Sequence, residues 1–275
     1  MTEATAIDAA ALQQALQAGL ERPLRAIHLP ECGSTNRECQ QRLMQDDDPS
    51  RLWLVSADRQ SAGRGRRGRI WHSSRPDNLY CSFGFVTELP PSALGLLPLL
   101  TGVVLAEGLH AAGFGRVRLK WPNDLVIARR KLGGVLIENR SLGGDRHALT
   151  VGFGLNLRLD EAARAAIGQP AASLDQEGDL PSRQALLQQL LQGLLDELPA
   201  FEPSQAPALL QRFAALDAHA GERVRVLAGE RAWVGRCLGV DDQGRLRVEI
   251  DGREQRFSAA EISLRADEGG DDAAA

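Results

Sequence analysis

Cysteine pairs at CxxC spacing, clustered histidines and a phosphate-loop signature ending in GKS or GKT are all missing from this 275-residue chain. The four cysteines, Cys32, Cys39, Cys81 and Cys237, stand far apart with no paired histidines beside them. That spacing excludes a zinc ribbon or a dithiol redox motif and leaves reduced thiols as the plain reading. A basic segment followed by an apolar one is absent at the N-terminus, so no export signal is read there. The longest apolar stretch, Ala93 to Ala106, is interrupted by Gly95, Pro98 and Thr101 and is too short to span a bilayer. A soluble, cytoplasmic chain with no membrane partner is expected. Positive charge is not in excess either. The formal net charge of −4 gives the chain as a whole no electrostatic reason to hold a nucleic-acid backbone, so any anion site must be local.

What is present is ordinary globular material, 43% hydrophobic and 25% charged, with only 4% aromatic residues. The length admits one large domain and a small one. Residues from about Asp8 to Ala18 read as a short helix, too little for a DNA-binding domain. Ile27 to Leu29 is a short strand candidate, and a helix follows to about Met44, where Thr35 with Glu38 fits a capping box. Arg51 to Ala57 and Leu79 to Val86 read as strands, and Ser92 to Ala112 as a mostly buried helix with Pro98 near its first turns. Val117 to Trp121, Leu125 to Ile127, Val135 to Glu138 and Ala148 to Leu157 complete a strand-rich middle. Leucines at helical spacing mark Ser182 to Leu198 and, with Phe213, Leu209 to Leu216 as amphipathic helices. Beyond Gly221 short alternating runs broken by Asp-Gly and Gln-Gly turns predict a small β-domain.

One loop stands out. Gln60 to Arg69 places four arginines and three glycines together in an acidic chain. Glycines allow close backbone approach, and guanidinium forks match carboxylate or phosphate oxygens. A solvated loop or a nucleic-acid contact remains the alternative on local grounds. The loop also spells GxGxxG with Glu88 downstream, but no strand ends at Gly63 and no helix begins after Gly68, which excludes a dinucleotide fingerprint.

Three further groups carry chemistry. Strand alternation sets Val117, Leu119 and Trp121 on one face and Arg118 and Lys120 on the other, with Pro122-Asn123-Asp124 closing a turn. Lys120 there can polarise a carboxylate or phosphoryl oxygen, and Asp124 can hold Mg²⁺ through one oxygen; a solvated lysine and an ordinary turn aspartate are the plain alternative. Val151 to Leu157 alternates large apolar residues with Gly152, Gly154 and Asn156. That bare face either receives a flat ligand or allows another element to pack closely. Ser34-Thr35-Asn36 reads as a helix cap, a role compatible with binding a polar ureido ring.

Taken in order, Ser34-Thr35-Asn36, the GRGRRGRIW run from Gly63 to Trp71, Lys120-Trp121-Pro122-Asn123-Asp124, Lys131 to Glu138 and Gly152 to Asn156 resemble the bacterial biotin protein ligases. Each motif is weak alone; five in order and at matching spacing are specific. The resemblance covers about residues 27 to 160 strongly, and the β-rich tail is similar to the small SH3-like domain that closes those enzymes.

The resemblance implies an α+β fold: a mixed-sheet catalytic domain of the class II aminoacyl-tRNA synthetase and biotin synthetase-like type, followed by a small SH3-like β-barrel. The expected divisions are a helical extension over 1–26, the catalytic domain over 27–218, the SH3-like domain over 219–265 and a disordered tail over 266–275. The implied activity is ATP-dependent formation of biotinyl-5'-AMP and transfer of biotin to a lysine of the biotin carboxyl carrier protein of acetyl-CoA carboxylase.

Carried onto this sequence, Ser34, Thr35, Asn36, Gln60, Arg64, Gly65, Arg66 and Lys120 bind biotin. Arg66, Arg67, Trp71, Asn123 and Asn156 contact ATP or the adenylate, Lys120 and Arg66 act in catalysis, and Asp124 is the candidate Mg²⁺ ligand. Many relatives carry an N-terminal helix-turn-helix domain; the short segment before the first strand implies a form without it, with no repressor function and no DNA partner. Relatives often pair through sheet edges, so a homodimer is open. Three rivals stand beside this reading: a lipoate ligase, a nucleic-acid-binding module and a biotin sensor without catalysis.

Overall fold

The computed structural model describes residues 7–73, 75–228, 230–259 and 263–266. Helix α1 (Ala9–Gln17) leads into strand β1 (Leu24–Cys32), then α2 (Thr35–Gln45), β2 (Leu52–Gln60) and β3 (Leu79–Thr87). Next come α3 (Pro91–Leu94), α4 (Leu97–Ala111), β4 (Arg118–Lys120), β5 (Asp124–Ile127), β6 (Arg130–Gly143) and β7 (Arg146–Leu155). Helices α5 (Glu161–Ile167), α6 (Arg183–Glu197) and α7 (Ala206–Leu216) precede five short strands: β8 (Arg223–Ala228), β9 (Arg231–Val240), β10 (Leu246–Ile250), β11 (Arg253–Phe257) and β12 (Ser263–Ala266).

The first seven strands form one sheet in the order β1-β2-β3-β7-β6-β5-β4. Only β1 and β2 run parallel; the remaining pairings are antiparallel, which makes the sheet mixed. Helix α4 is buried nearly all round and packs against α6, α7 and β6. Its stretch Pro91–Ala111 is long and apolar enough to cross a membrane, but 67% of that window is buried inside the fold, which is what a core helix shows. The expected single helix over Ser92 to Ala112 is split at Gly95 and Leu96, and Pro98 sits in the first turn of α4, where its missing N–H costs nothing.

Helix α1 belongs to this same layer. Leu12 and Leu16 are buried in the main core, so the segment before β1 is built into the domain. Strand β1 also begins earlier than expected, at Leu24. Two glutamines of α1 serve its outer edge: Gln17 Oε1 accepts the N–H of Leu24 at 2.7 Å and Gln13 Oε1 that of Ala26 at 2.9 Å.

The C-terminal strands form the second sheet, order β11-β10-β9-β8-β12, antiparallel throughout. This is the small β-domain expected after Gly221. It is tied to the larger sheet at the start of the turn at Pro122: Trp121, buried to 1%, donates its indole N–H to Gly244 O at 2.9 Å. The disordered tail expected from residue 266 lies, beyond Ala266, outside the described residues.

Candidate active site

A cleft of about 890 Å³ opens where the carboxyl end of β2, the arginine loop, the β4–β5 turn and the first strand of the small β-domain meet. Ser34, Thr35, Asn36, Gln60, Arg64, Gly65, Arg66, Trp71, Lys120, Asn123 and Asp124 all line it, although they span ninety residues of sequence. One end is polar and neutral. The other is cationic, with Arg66, Arg69, Lys120, Lys131 and Arg225 facing a single lining carboxylate, Asp124. In a chain of net negative charge, that concentrates positive potential on one groove.

The polar end is built on the start of α2. Ser34 occupies the N-cap position with extended backbone, yet its hydroxyl caps nothing. The expected capping box is not formed: Thr35 is already the first helical residue, and Glu38 pairs with Arg42 at 2.6 Å instead. Thr35 Oγ1 turns away from the helix to lie 2.8 Å from Ser82 Oγ and 3.2 Å from Gln60 Oε1. Gln60 Nε2 donates to Ser73 Oγ at 2.9 Å. Thr35, Ser73 and Ser82 are buried, Gln60 is half-buried, and all are mutually bonded, so the pocket wall is preorganised before any ligand arrives.

The arginine loop is ordered as a tight excursion. Trp71 N donates to Gly63 O at 3.0 Å and Gly65 N to Arg69 O at 2.7 Å, closing the loop on itself. Arg64 pairs with Glu138 at 2.9 Å. Arg66 donates to Asn123 Oδ1 at 3.0 Å and to the carbonyl of Ala259, reaching the small β-domain. Burial lowers the Arg66 pKa from its ordinary value, partly offset by Asp124. Arg67 turns outward at φ 60°, is exposed and does not line the cleft, so its expected nucleotide contact is not supported.

The bare face of β7 is filled by protein. A Cβ on Gly154 would sit 2.6 Å from the Trp71 ring, and one on Gly152 would sit 1.9 Å from Asn36 Oδ1. Both readings of this Gly-rich strand find support, since Gly152 and Gly154 pack closely against Asn36 and Trp71 and also line the cleft. The flat group lying on it is Trp71, whose indole nitrogen is buried without a hydrogen-bond partner among the described residues. Asn156, expected at the nucleotide, is 4% exposed, does not line the cleft, and donates one amide hydrogen to Ala172 O at 3.2 Å.

Asp124, expected to hold Mg²⁺ through one oxygen with phosphates completing the shell, has its Oδ1 2.7 Å from Lys131 Nζ, and no cluster of three potential metal ligands occurs among the described residues. One carboxylate fits an ion that arrives with a polyphosphate better than a resident one. Lys131 itself was overlooked as a site residue. It follows a strained hairpin turn in which Ala128 and Arg129 both have positive φ, and its ammonium lies 5.5 Å from the centre of the Trp71 ring. The only sequence signal for it was its place at the head of the Lys131 to Glu138 motif. Ser73, Ser82 and Glu138 were missed too, because nothing local distinguishes them from ordinary strand and loop polar residues.

His219 reaches the cleft from the opposite side. It is 2% exposed, its Nδ1 has no partner among the described residues, and burial together with the Lys120 charge pushes its pKa down to about 4. Its neighbour Asp217, which accepts the His219 N–H at 2.9 Å, is pushed up to about 6 by burial and the Glu222 charge.

Comparison with known proteins agrees with this architecture. Residues 31–156 match the biotin/lipoate A/B protein ligase family and residues 219–265 the biotin protein ligase C-terminal domain. The biotin–[acetyl-CoA-carboxylase] ligase of Mycobacterium tuberculosis is 31% identical over 237 residues, covering 84% of this chain and 86% of that one. The chain belongs to the biotin protein ligase family. Another relative, the bifunctional ligase/repressor BirA of Escherichia coli, is 36% identical over 212 residues, 77% of this chain. The match spans 66% of that relative's length. The solved biotin protein ligase of Aquifex aeolicus, in complex with biotin and ATP, superposes with a TM-score of 0.68 at 28% identity, covering 90% of this chain and 100% of that one. The two-part fold is therefore that of a biotin protein ligase, a mixed-sheet domain followed by a small SH3-like one.

Proposed function

We propose that this chain activates biotin with MgATP to biotinyl-5'-AMP and transfers the biotinyl group to a lysine of the biotin carboxyl carrier protein of acetyl-CoA carboxylase, in the cytoplasm. The observation that carries the reading is the two-ended cleft. A neutral donor and acceptor pocket fits a cyclic urea, and the cationic groove beside it fits a carboxylate meeting a polyphosphate. The family membership supports the same chemistry.

In the first step a biotin carboxylate oxygen attacks the α-phosphorus, a new P–O bond forms and the bond to pyrophosphate breaks. In the second the lysine amine attacks the acyl carbon, AMP leaves, and the amine gives up a proton. Two anions must approach each other in the first step, and preorganised cations offset that repulsion in a site sheltered from water. Ser34, Thr35, Asn36 and Gln60 take the ureido ring in this reading. Arg64, Gly65 and Arg66 cover the carboxylate and the adenylate phosphate. Lys120 and Lys131 face the reacting oxygens, with Lys131 held by Asp124, and Asn123 orients Arg66. Trp71 walls the nucleotide side. Magnesium enters with the nucleotide substrate. The catalytic unit is taken as residues 27–218 with α1 packed onto it, and the closing domain as 219–265.

Biotin-dependent exchange of labelled pyrophosphate into ATP tests this directly, because it isolates activation and needs no acceptor. Exchange with biotin and none with lipoate is the expected result. Exchange with lipoate alone assigns the chain to the sister activity, and no exchange with either, in folded protein with Mg²⁺, overturns the proposal.

A further inference from the structure

Glu138 on β6 touches both parts of the polar pocket. Its Oε1 lies 2.9 Å from Arg64 Nη1, and its Oε2 accepts from Asn36 Nδ2 at 2.9 Å. The other amide hydrogen of Asn36 goes to Leu136 O at 3.1 Å. An ionised carboxylate and a carbonyl only accept, so both hydrogens of the Asn36 amide are committed and its Oδ1 must face Ser82. Ser82 Oγ lies 2.6 Å from that oxygen and 2.8 Å from Thr35 Oγ1. A hydroxyl has one hydrogen, so Ser82 donates to Asn36 and can only accept from Thr35.

Gln60 closes the chain at its far end. Its Oε1 accepts the Thr35 N–H at 2.9 Å while its Nε2 donates to Ser73, so that amide too is fixed in direction. The hydroxyl hydrogen of Thr35 is thereby drawn toward Ser82 or Gln60, both within the wall. What Thr35 Oγ1 has left to offer the cleft is a lone pair.

We propose that Glu138 is a specificity-determining positioning residue. Its charge sets the direction of the relay Asn36–Ser82–Thr35, so that the pocket presents an acceptor to a ring N–H, and the same carboxylate holds Arg64 at the pocket mouth. The proposal rests on the biotin-activating reading and deepens it. A cyclic urea supplies the N–H that the acceptor needs, whereas a dithiolane has none and leaves it unpaired, which is how such a site rejects the second ring. Replacing Glu138 by Gln keeps the shape but removes the charge and presents N–H donors as well as an acceptor, which leaves Leu136 O as the one fixed acceptor holding the Asn36 amide and weakens the direction of the relay.

The test measures biotin Kd by calorimetry, and KM and kcat by pyrophosphate exchange, in the wild type, Glu138→Gln and Glu138→Asp. The Gln variant is expected to weaken biotin binding roughly 10- to 100-fold and to raise the biotin KM in step. Its kcat and ATP KM should change less than its biotin KM, since they are reached only through the loosened Arg64. Desthiobiotin, which keeps the urea ring, should lose affinity in parallel. Glu138→Asp, an acceptor with the charge retained, should recover most of the affinity, which a merely structural defect would not allow. A Gln variant whose biotin Kd stays within twofold of the wild type overturns the proposal, as does a fall in kcat at constant KM. If wild-type protein shows no exchange, the ligase reading fails separately, and the calorimetric biotin affinities of the three proteins still decide the role of Glu138; no biotin binding by the wild type overturns both.

Discussion

Trp71 lies flat against Gly154, so close that a single added methyl would stand 2.6 Å from the indole ring. Lys131 covers the ring, and Asp124 holds Lys131, so the indole is the middle layer of a stack that begins at β7 and ends in the cleft. Gly154→Ala is expected to displace Trp71 and, with it, the end of the arginine loop. Overpacking of this kind typically costs about 1–3 kcal/mol. Denaturant unfolding should register that loss, and the ATP KM should rise more than the biotin KM; an unchanged ATP KM counts against a nucleotide-side role for Trp71.

Arg66 joins the loop to Asn123 and to the backbone of the small β-domain. Arg66→Gly removes both ties and the charge over the adenylate phosphate. Losing a charge-assisted hydrogen bond of this type is worth about 1.5–3 kcal/mol, so bound biotinyl-AMP should dissociate roughly 10- to 100-fold faster. Stopped-flow release of the adenylate measures it, and an unaltered off-rate removes Arg66 from this role.

Two lysines line the cleft, Lys120 and Lys131. Lys131 is fixed between Asp124 and the Trp71 ring, which gives it a defined position toward developing charge. Lys131→Ala should lower kcat for exchange by about 10²-fold or more, the range seen when one preorganised donor is removed. Equal losses from Lys131→Ala and Lys120→Ala would show that both ammonium groups share the reacting oxygens.

Asp217 and His219 make opposite demands on pH. The carboxyl, held near 6 in the fold, contributes stability that is present below its unfolded pKa and lost as pH rises through 6. The imidazole, held near 4, contributes nothing at neutral pH but destabilises the fold as pH falls from its ordinary value toward 4. Between about pH 4 and 6.5 the two slopes oppose each other, each worth on the order of 3 kcal/mol. Wild-type stability should be nearly level across that window. Asp217→Asn should become more stable with rising pH, and His219→Asn less so, when urea unfolding is followed from pH 4 to 7. Parallel profiles in all three proteins would contradict the opposed shifts.

Much of the site was legible because it depends on local chemistry. Ser34, Thr35 and Asn36 at a helix start, the arginine–glycine loop and the turn at Asn123 each carry a residue pattern whose mechanism does not need the rest of the chain. The alternation that buries Leu119 and leaves Lys120 toward the cleft is likewise a property of a three-residue strand. Less legible was what lies across the sheet. No local pattern shows that Asn156 donates to Ala172 or that Lys131, seven residues on, folds back against Asp124. Glu138 could not be singled out at all, since its two partners are separated from it by 74 and 102 positions.

The outer edge of β1 carries one more consequence. A bare edge strand is a template for recruiting strands from other molecules. Here Gln17 and Gln13 take the outward N–H groups of Leu24 and Ala26, and Pro30, four residues beyond Ala26 on the same side, has none to offer, so His28 is the one outward residue between them left without a glutamine partner. Two uncharged side chains of the nine-residue helix α1 thus reduce what this edge offers to a strand from another molecule. Replacing both by alanine leaves every core contact in place and removes that guard, so this helix protects the molecule in a crowded cell as well as completing its core.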